Sequence, residues 1–338
     1  MPVGVIRDEH RALAARVNSW VEHLYQQRLL DWDAAGQQGQ EPTRNGTQQE
    51  LLNTQGPGTT VAGARAYETI KRSACFPAIA RLYQMGLIGY DDLLTEAVKE
   101  DANGATAILS KSFNEQTQRQ EITPAFQNEM SNAISYSQFW MHEAELRRTS
   151  PKYQQLVQYI NHIIDLKTND WTAASNLPNP GSLPKDGSRV RNMIVFADSQ
   201  VSAWILFMLL FTDFGPRVEY LYIHSGQSVA ERAPVYQRMQ SPVNPADTNA
   251  LNKIMISTYE LSGKGHNLQR ANYCILMEVP ISTDVLRQAA GRVDRQGEDM
   301  TPIIVKLWDG ENFCEVNRIN RSRNVDALTA DVDISEFV

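Results

Sequence analysis

Between Val190 and Asp309 the chain alternates short apolar runs with helical stretches, and this alternation restricts its fold more than any other feature. NMIVFADS (192–199) is an apolar, β-branched run ending in polar residues, and VSAWILFMLLF (201–211) follows it as a buried helix. EYLYIHS (219–225) reads as a second strand and SVAERAPVYQRMQ (228–240) as a second helix, with Pro234 imposing a late start or a bend. KIMISTYE (253–260), NYCILMEV (272–279) and PIIVKLWD (302–309) complete five strands, and a helix over 284–295 separates the last two. Strands alternating with helices predict an α/β fold with a mainly parallel sheet flanked by helices. Ligands of such sheets bind beyond the carboxyl ends of the strands. Asp198 and Ser199, Ser225 and Gly226, and Ser257 and Thr258 all fall at or near those ends.

The helix at 284–295 carries the most specific chemistry. In QAAGRVDRQG (288–297), Gln288, Arg292 and Arg295 stand at i, i+4 and i+7, on one helical face. Two cations on one stripe repel each other unless an anion meets them. A triphosphate is such an anion, and an arginine aimed at a transferring phosphoryl group is a catalytic device. The plainer reading is a solvated helix whose charges pair with Asp284, Asp294 and Glu298; this segment alone does not separate the two.

Its neighbours add a family resemblance. The segment resembles the second RecA-like lobe, the helicase C-terminal domain, of superfamily-two helicases, and most closely that of the Swi/Snf-type DNA-dependent ATPases. QAAGRVDRQGE (288–298) matches their Q-A-x-x-R-x-x-R-x-G-Q element except at Glu298. ISTYELSGKGHNLQRAN (256–272) matches their S-T, glycine-rich loop and G-x-N-L, with one residue more between Thr258 and Gly265. MIVFADSQ (193–200), IHSGQSVAER (223–232) and SPK (150–152) match further elements of that lobe, and RSACFP (72–77) resembles a helical R-x-x-C-x-P segment preceding it.

The resemblance implies roles for particular residues. Arg295 would be an arginine finger reaching the γ-phosphate, with Arg292 as its partner. Gln288, together with Gly265, would couple the nucleotide to the nucleic-acid strand. Ser257, Thr258 and Asn267 would touch strand phosphates, as would N–H groups of the Gly263–Gly265 loop, where glycine allows close backbone approach. Ser225 and Gly226 would be secondary backbone contacts. Each residue also has an ordinary explanation, as a turn former or a cap.

That family binds ATP mainly with a first lobe, whose signatures are missing from these 338 residues. There is no G-x-x-x-x-G-K-[ST] phosphate loop. SGKGH (262–266) lacks the leading glycine, and a glycine follows Lys264. RDEH (7–10) has the wrong spacing for a D-E-x-H box, and DFG (213–215) follows an apolar helix without kinase companions. ATP and Mg²⁺ are therefore expected only with a separate first lobe, in cis or in trans, and neither is expected on this chain alone.

The formal charge of −7 argues against a free-standing basic surface for nucleic acid. Residues 264–323 hold nine Lys/Arg against eight Asp/Glu, so DNA contacts by this chain alone are expected to be weak. Cys75, Cys274 and Cys314 and the six histidines show no metal-ligand or disulfide spacing, and Cys274 reads as core. His266 reads as an exposed loop residue or a phosphate neighbour. The apolar run 201–211 is too short to span a membrane, and no secretory signal opens the chain. A nuclear or other intracellular place is expected, the nucleus from the resemblance only, and the sequon at Asn45 then has no meaning.

The expected organisation has three parts: 1–149, 150–323 and 324–338. The first is a mainly helical region with a flexible loop near 36–60, and it resembles the bridge between two lobes. Its alternative is an independent helical domain. The second part is the RecA-like lobe, with a linker over 172–189, and the third is an acidic tail. Two functions follow from this organisation. One is the second lobe of an ATP-dependent DNA translocase, inactive as an ATPase alone; the other is a catalytically dead helicase-like interaction module. A dinucleotide-binding enzyme fits poorly, because no G-x-G-x-x-G follows any strand.

Overall fold

The structure is a computed structural model. It describes residues 3–44, 47, 69–116, 119–165, 190–244, 246–247, 249–262, 267–280, 282–294, 302–308, 312, 315 and 318–319. Arg295, Gly263 to His266, the linker over 172–189 and the acidic tail over 324–338 lie outside those residues, as does most of the 36–60 loop.

The chain opens with helix α1 (Val3–Ala34). After Pro77 comes α2 (Ala78–Gln84), and then α3 (Lys99–Lys111). Two residues each of β1 (Phe113–Asn114) and β2 (Arg119–Gln120) form a small antiparallel hairpin. Helices α4 (Pro124–Ser135), α5 (Glu143–Thr149) and α6 (Pro151–Asp165) complete the helical region. Helix α4 starts where the Thr123 hydroxyl accepts the Phe126 N–H and Pro124 fills a first-turn position that needs no N–H.

The lobe follows with β3 (Asn192–Ala197), α7 (Gln200–Phe214), β4 (Val218–Tyr222), α8 (Val229–Gln240) and β5 (Asn252–Thr258). The single turn α9 (Tyr259–Ser262), β6 (Ala271–Leu276), α10 (Thr283–Val293) and β7 (Ile303–Lys306) complete it. The five strands form one parallel sheet in the order β4-β5-β3-β6-β7. In register, Ile194 lies opposite Met255 on one side and Cys274 on the other. The expected α/β sheet is thus observed, with three differences at element ends, the first being that the helix expected over 284–295 stops at Val293, where Asp294 turns to extended backbone. KIMISTYE leaves the strand at Tyr259, whose ring stacks on Phe196 and whose hydroxyl donates to the Glu278 carbonyl. Pro234 does not delay α8. A reciprocal capping box between Ser228 and Glu231 fixes its start five residues earlier and outweighs the one N–H the proline lacks.

Residue alternation along the strands divides the core between the two faces of the sheet. Ile194, Phe196, Leu221, Met255, Cys274 and Leu276 pack with residues of α8, α9 and α10. Met193, Val195, Tyr220, Tyr222, Ile254 and Ile275 pack against α7 and the helical region. Cys75, Phe76, Met130, Phe139 and Ile160 belong to that same cluster, so the helices of 69–165 and the sheet share one core. This explains why α7 is apolar all round: it is a middle layer between sheet and helices. The hairpin also reaches the sheet, where the Gln120 side-chain carbonyl accepts the Tyr220 N–H of edge strand β4 at 3.1 Å. Among the described residues no helix is long and apolar enough to cross a membrane.

Candidate functional site

The sheet begins at its centre with β3, builds outward to β4 and β5, and then returns past β3 to β6 and β7. The switch point is between β3 and β6, whose carboxyl ends carry Asp198 and Glu278. In an open parallel sheet this is the crevice where ligands bind. Here the chain's own charges occupy it. The Glu278 carboxylate accepts the Asp198 N–H at 2.6 Å and the Ser202 hydroxyl at 2.9 Å. Arg318 pairs with Asp198 at 2.9 Å. Lys152, from the first turn of α6, pairs with Glu315 at 2.7 Å and donates to the Met277 carbonyl.

Burial pushes the Asp198 carboxyl up, but the Arg318, Lys71 and Arg72 charges outweigh it and hold Asp198 below the usual range. Glu278 goes the other way: burial, and then the Asp198 charge, raise it to about 7. A carboxyl raised on folding holds its proton more tightly in the folded state. Its stabilising contribution is therefore complete below the unfolded value of about 4.3 and is lost as pH rises to about 7. Burial holds His224 down at about 4, and its contribution grows with pH over much of the same window, so the total slope mixes both. Comparing Glu278→Gln with the parent chain isolates the carboxyl. The variant is expected to gain stability relative to the parent from pH 4.5 to 7.5 in denaturant midpoints, whereas a constant difference would exclude titration of Glu278 in that range.

Helix α10 leaves the same edge of the sheet. Its start is fixed by Ser282, whose hydroxyl accepts the Val285 N–H at 3.3 Å. Ala289 and Val293 face the core, Gln288 is exposed, and Arg292 is half-buried. The Arg292 carbonyl accepts the Leu268 N–H, tying the helix to the G-x-N-L segment. Arg295 comes directly after the C-cap residue Asp294 and lies outside the described residues, as does Gly265.

The remaining sequence-predicted residues do not converge on one surface. Ser257 is fully buried, and its hydroxyl is 2.7 Å from that of Ser262, which in turn meets the Tyr236 hydroxyl. The Thr258 hydroxyl accepts from Gln200 inside the fold. Asn267 is exposed; its side-chain carbonyl accepts the Gln269 N–H, and its main-chain carbonyl accepts from Gln240.

Ser225 is exposed and Gly226 half-buried in a loop braced by α3. A Cβ on Gly226 would lie 2.7 Å from the Asn103 side-chain oxygen and 3.0 Å from the His224 ring, so the close packing explains glycine there. His224 Nδ1 accepts the Gly226 N–H, which leaves Nε2–H to face the Thr106 hydroxyl at 3.2 Å. Cys75 and Cys274 are buried, and burial pushes the Cys274 thiol up to about 12, as suits a core residue. Among the described residues no group of three or more His, Cys, Asp or Glu side chains is placed to hold a metal.

In the sequence Lys152 stands out only as part of SPK, and Glu278, Glu315 and Arg318 belong to none of the recognised motifs. The signal for Glu278 was a carboxylate at the end of an otherwise apolar run, NYCILM. Glu315 and Arg318 gave none, because their partners are distant in sequence.

Residues 182–297 match the helicase conserved C-terminal domain family. Among solved structures, the C-terminal part of the Fun30 ATPase domain is similar at 18% identity with a TM-score of 0.35, covering 61% of this chain and 67% of that one. No curated protein matches. The family match over residues 182–297 and the parallel strands β3 to β6 that fall within that span together support a helicase C-terminal domain in this part of the chain.

Proposed function

We propose that this chain supplies the second lobe of a Swi/Snf-type, DNA-dependent ATPase, with Arg295 and Arg292 completing a nucleotide site on a first lobe. The observation that carries the reading is helix α10. It is capped at the carboxyl edge of the sheet, presents Gln288 to solvent, and has Arg292 one turn later on the same stripe. ATP and Mg²⁺ would be held by the first lobe. Gln288 and Gly265 would link nucleotide to strand, and Asn267 would touch the strand. The exposed Ser225, with the adjoining Gly226, would add a backbone contact. The buried hydroxyls of Ser257 and Thr258 favour a supporting role for those two residues, beneath the strand-binding surface.

Catalysis of phosphoryl transfer needs positioning, Mg²⁺ and charge stabilisation together. The chain alone is therefore expected to hydrolyse ATP no faster than a buffer blank, with or without DNA. Adding a separately purified first lobe and duplex DNA is expected to produce turnover. If that mixture stays inactive while the two lobes bind each other, the second reading, an interaction module without catalysis, takes over.

A further inference from the structure

The connection from β6 to α10 begins with Met277 to Pro280, whose main chain is held from several directions. The Met277 N–H donates to the Phe196 carbonyl, and the Met277 carbonyl accepts from the Lys152 ammonium, both at 2.9 Å. The Glu278 carbonyl accepts the Tyr259 hydroxyl at 2.5 Å. The Val279 N–H donates to the Glu315 carboxylate at 2.9 Å, and the Val279 carbonyl accepts from Arg318 at 2.5 Å. An ordinary surface connection would leave most of these groups to water. Here the partners come from distant parts of the chain, with Lys152 on α6 and Glu315 beyond β7.

Lys152 and Glu315 are 7% and 1% exposed and lie 2.7 Å apart. A buried ion pair is costly to desolvate, and an apolar pair of similar volume is often as stable. What an apolar pair cannot supply is the second bond each member makes, one to each end of a three-residue segment. We propose that Lys152 and Glu315 are positioning residues that fix the start of α10, and with it the direction in which Gln288 and Arg292 leave the sheet. The functional weight of this proposal rests on the reading of α10 given above; the anchoring itself does not.

Hydrogen exchange on the full chain, resolved by peptide, tests it without nucleotide. Lys152→Met with Glu315→Leu removes both charges and both bonds to the segment. Amides of 283–293 are expected to exchange roughly tenfold faster, as losing two net hydrogen bonds predicts, while those of β3 and β5 stay unchanged. Lys152→Met with Glu315→Gln keeps an acceptor for the Val279 N–H and is expected to restore part of the protection. Should the first variant not fold, the second still decides, by whether exchange of α10 rises over the parent chain while that of β3 does not. Unchanged protection of α10, a rise shared equally by β3 and β5, or no difference between Gln and Leu at 315 would each overturn the proposal. A loosened α10 beside an Arg295→Ala variant of unaltered activity would instead fail the nucleotide reading alone.

Discussion

Arg295→Ala, assayed with a separate first lobe and DNA, is expected to lose about 10³–10⁵ of the DNA-stimulated ATP turnover, the range an arginine finger contributes to a complete site. The expectation rests on spacing and chemistry. Arg295 follows Arg292 by three residues in the sequence, and no neutral side chain offers the transferring phosphoryl group a charged, planar fork. Arg295→Lys is therefore expected to recover little, because an ammonium gives charge without the bidentate geometry. DNA affinity of the mixture should change far less than turnover, which separates a loss at the nucleotide from a loss of strand binding. Turnover within a fewfold of the parent mixture would remove Arg295 from the reaction.

The second large effect is on stability. Trp204 is fully buried in α7, 5.7 Å from the Phe207 ring, and its indole N–H donates to the Ser137 hydroxyl at 2.8 Å. Trp204→Ala removes the largest side chain of the middle layer and is expected to cost about 3–5 kcal/mol. Because the cluster around it includes residues of both the helices and the sheet, unfolding is expected to remain one transition, shifted to lower denaturant. Circular dichroism and tryptophan fluorescence should report the same midpoint. Two midpoints, only one of which moves, would mean that the helices of 69–165 fold on their own.

Strands β3 to β6 were legible because they are buried on both faces. Burial of that kind demands runs such as MIVFA and IMIS, apolar without alternation, and the helices between them leave only parallel pairing. The helix expected over 284–295 was legible except at its end, which falls at Val293: a local period of 3.6 places Gln288 and Arg292 on one stripe whatever surrounds them, but the extended Asp294 stops the helix before Arg295. The hydroxyls of Ser257 and Thr258 were not. A strand end reads the same in sequence whether its side chains face a ligand or, as here, Ser262 and Gln200. Nor did the helical region declare its place: amphipathic helices bury their apolar side against whatever neighbour the tertiary fold provides.

By itself the sequence determined the order of strands and helices, the stripe of Gln288 and Arg292, and the lack of a phosphate loop within these residues. Each of these is a property of neighbours along the chain. The tertiary structure alone decided that the helices of 69–165 and the sheet share one core. It also decided that the crevice at Asp198 and Glu278 is filled by Lys152, Glu315 and Arg318. Those charges come from segments more than a hundred residues apart, and only desolvation at the ends of β3 and β6 makes their pairing necessary.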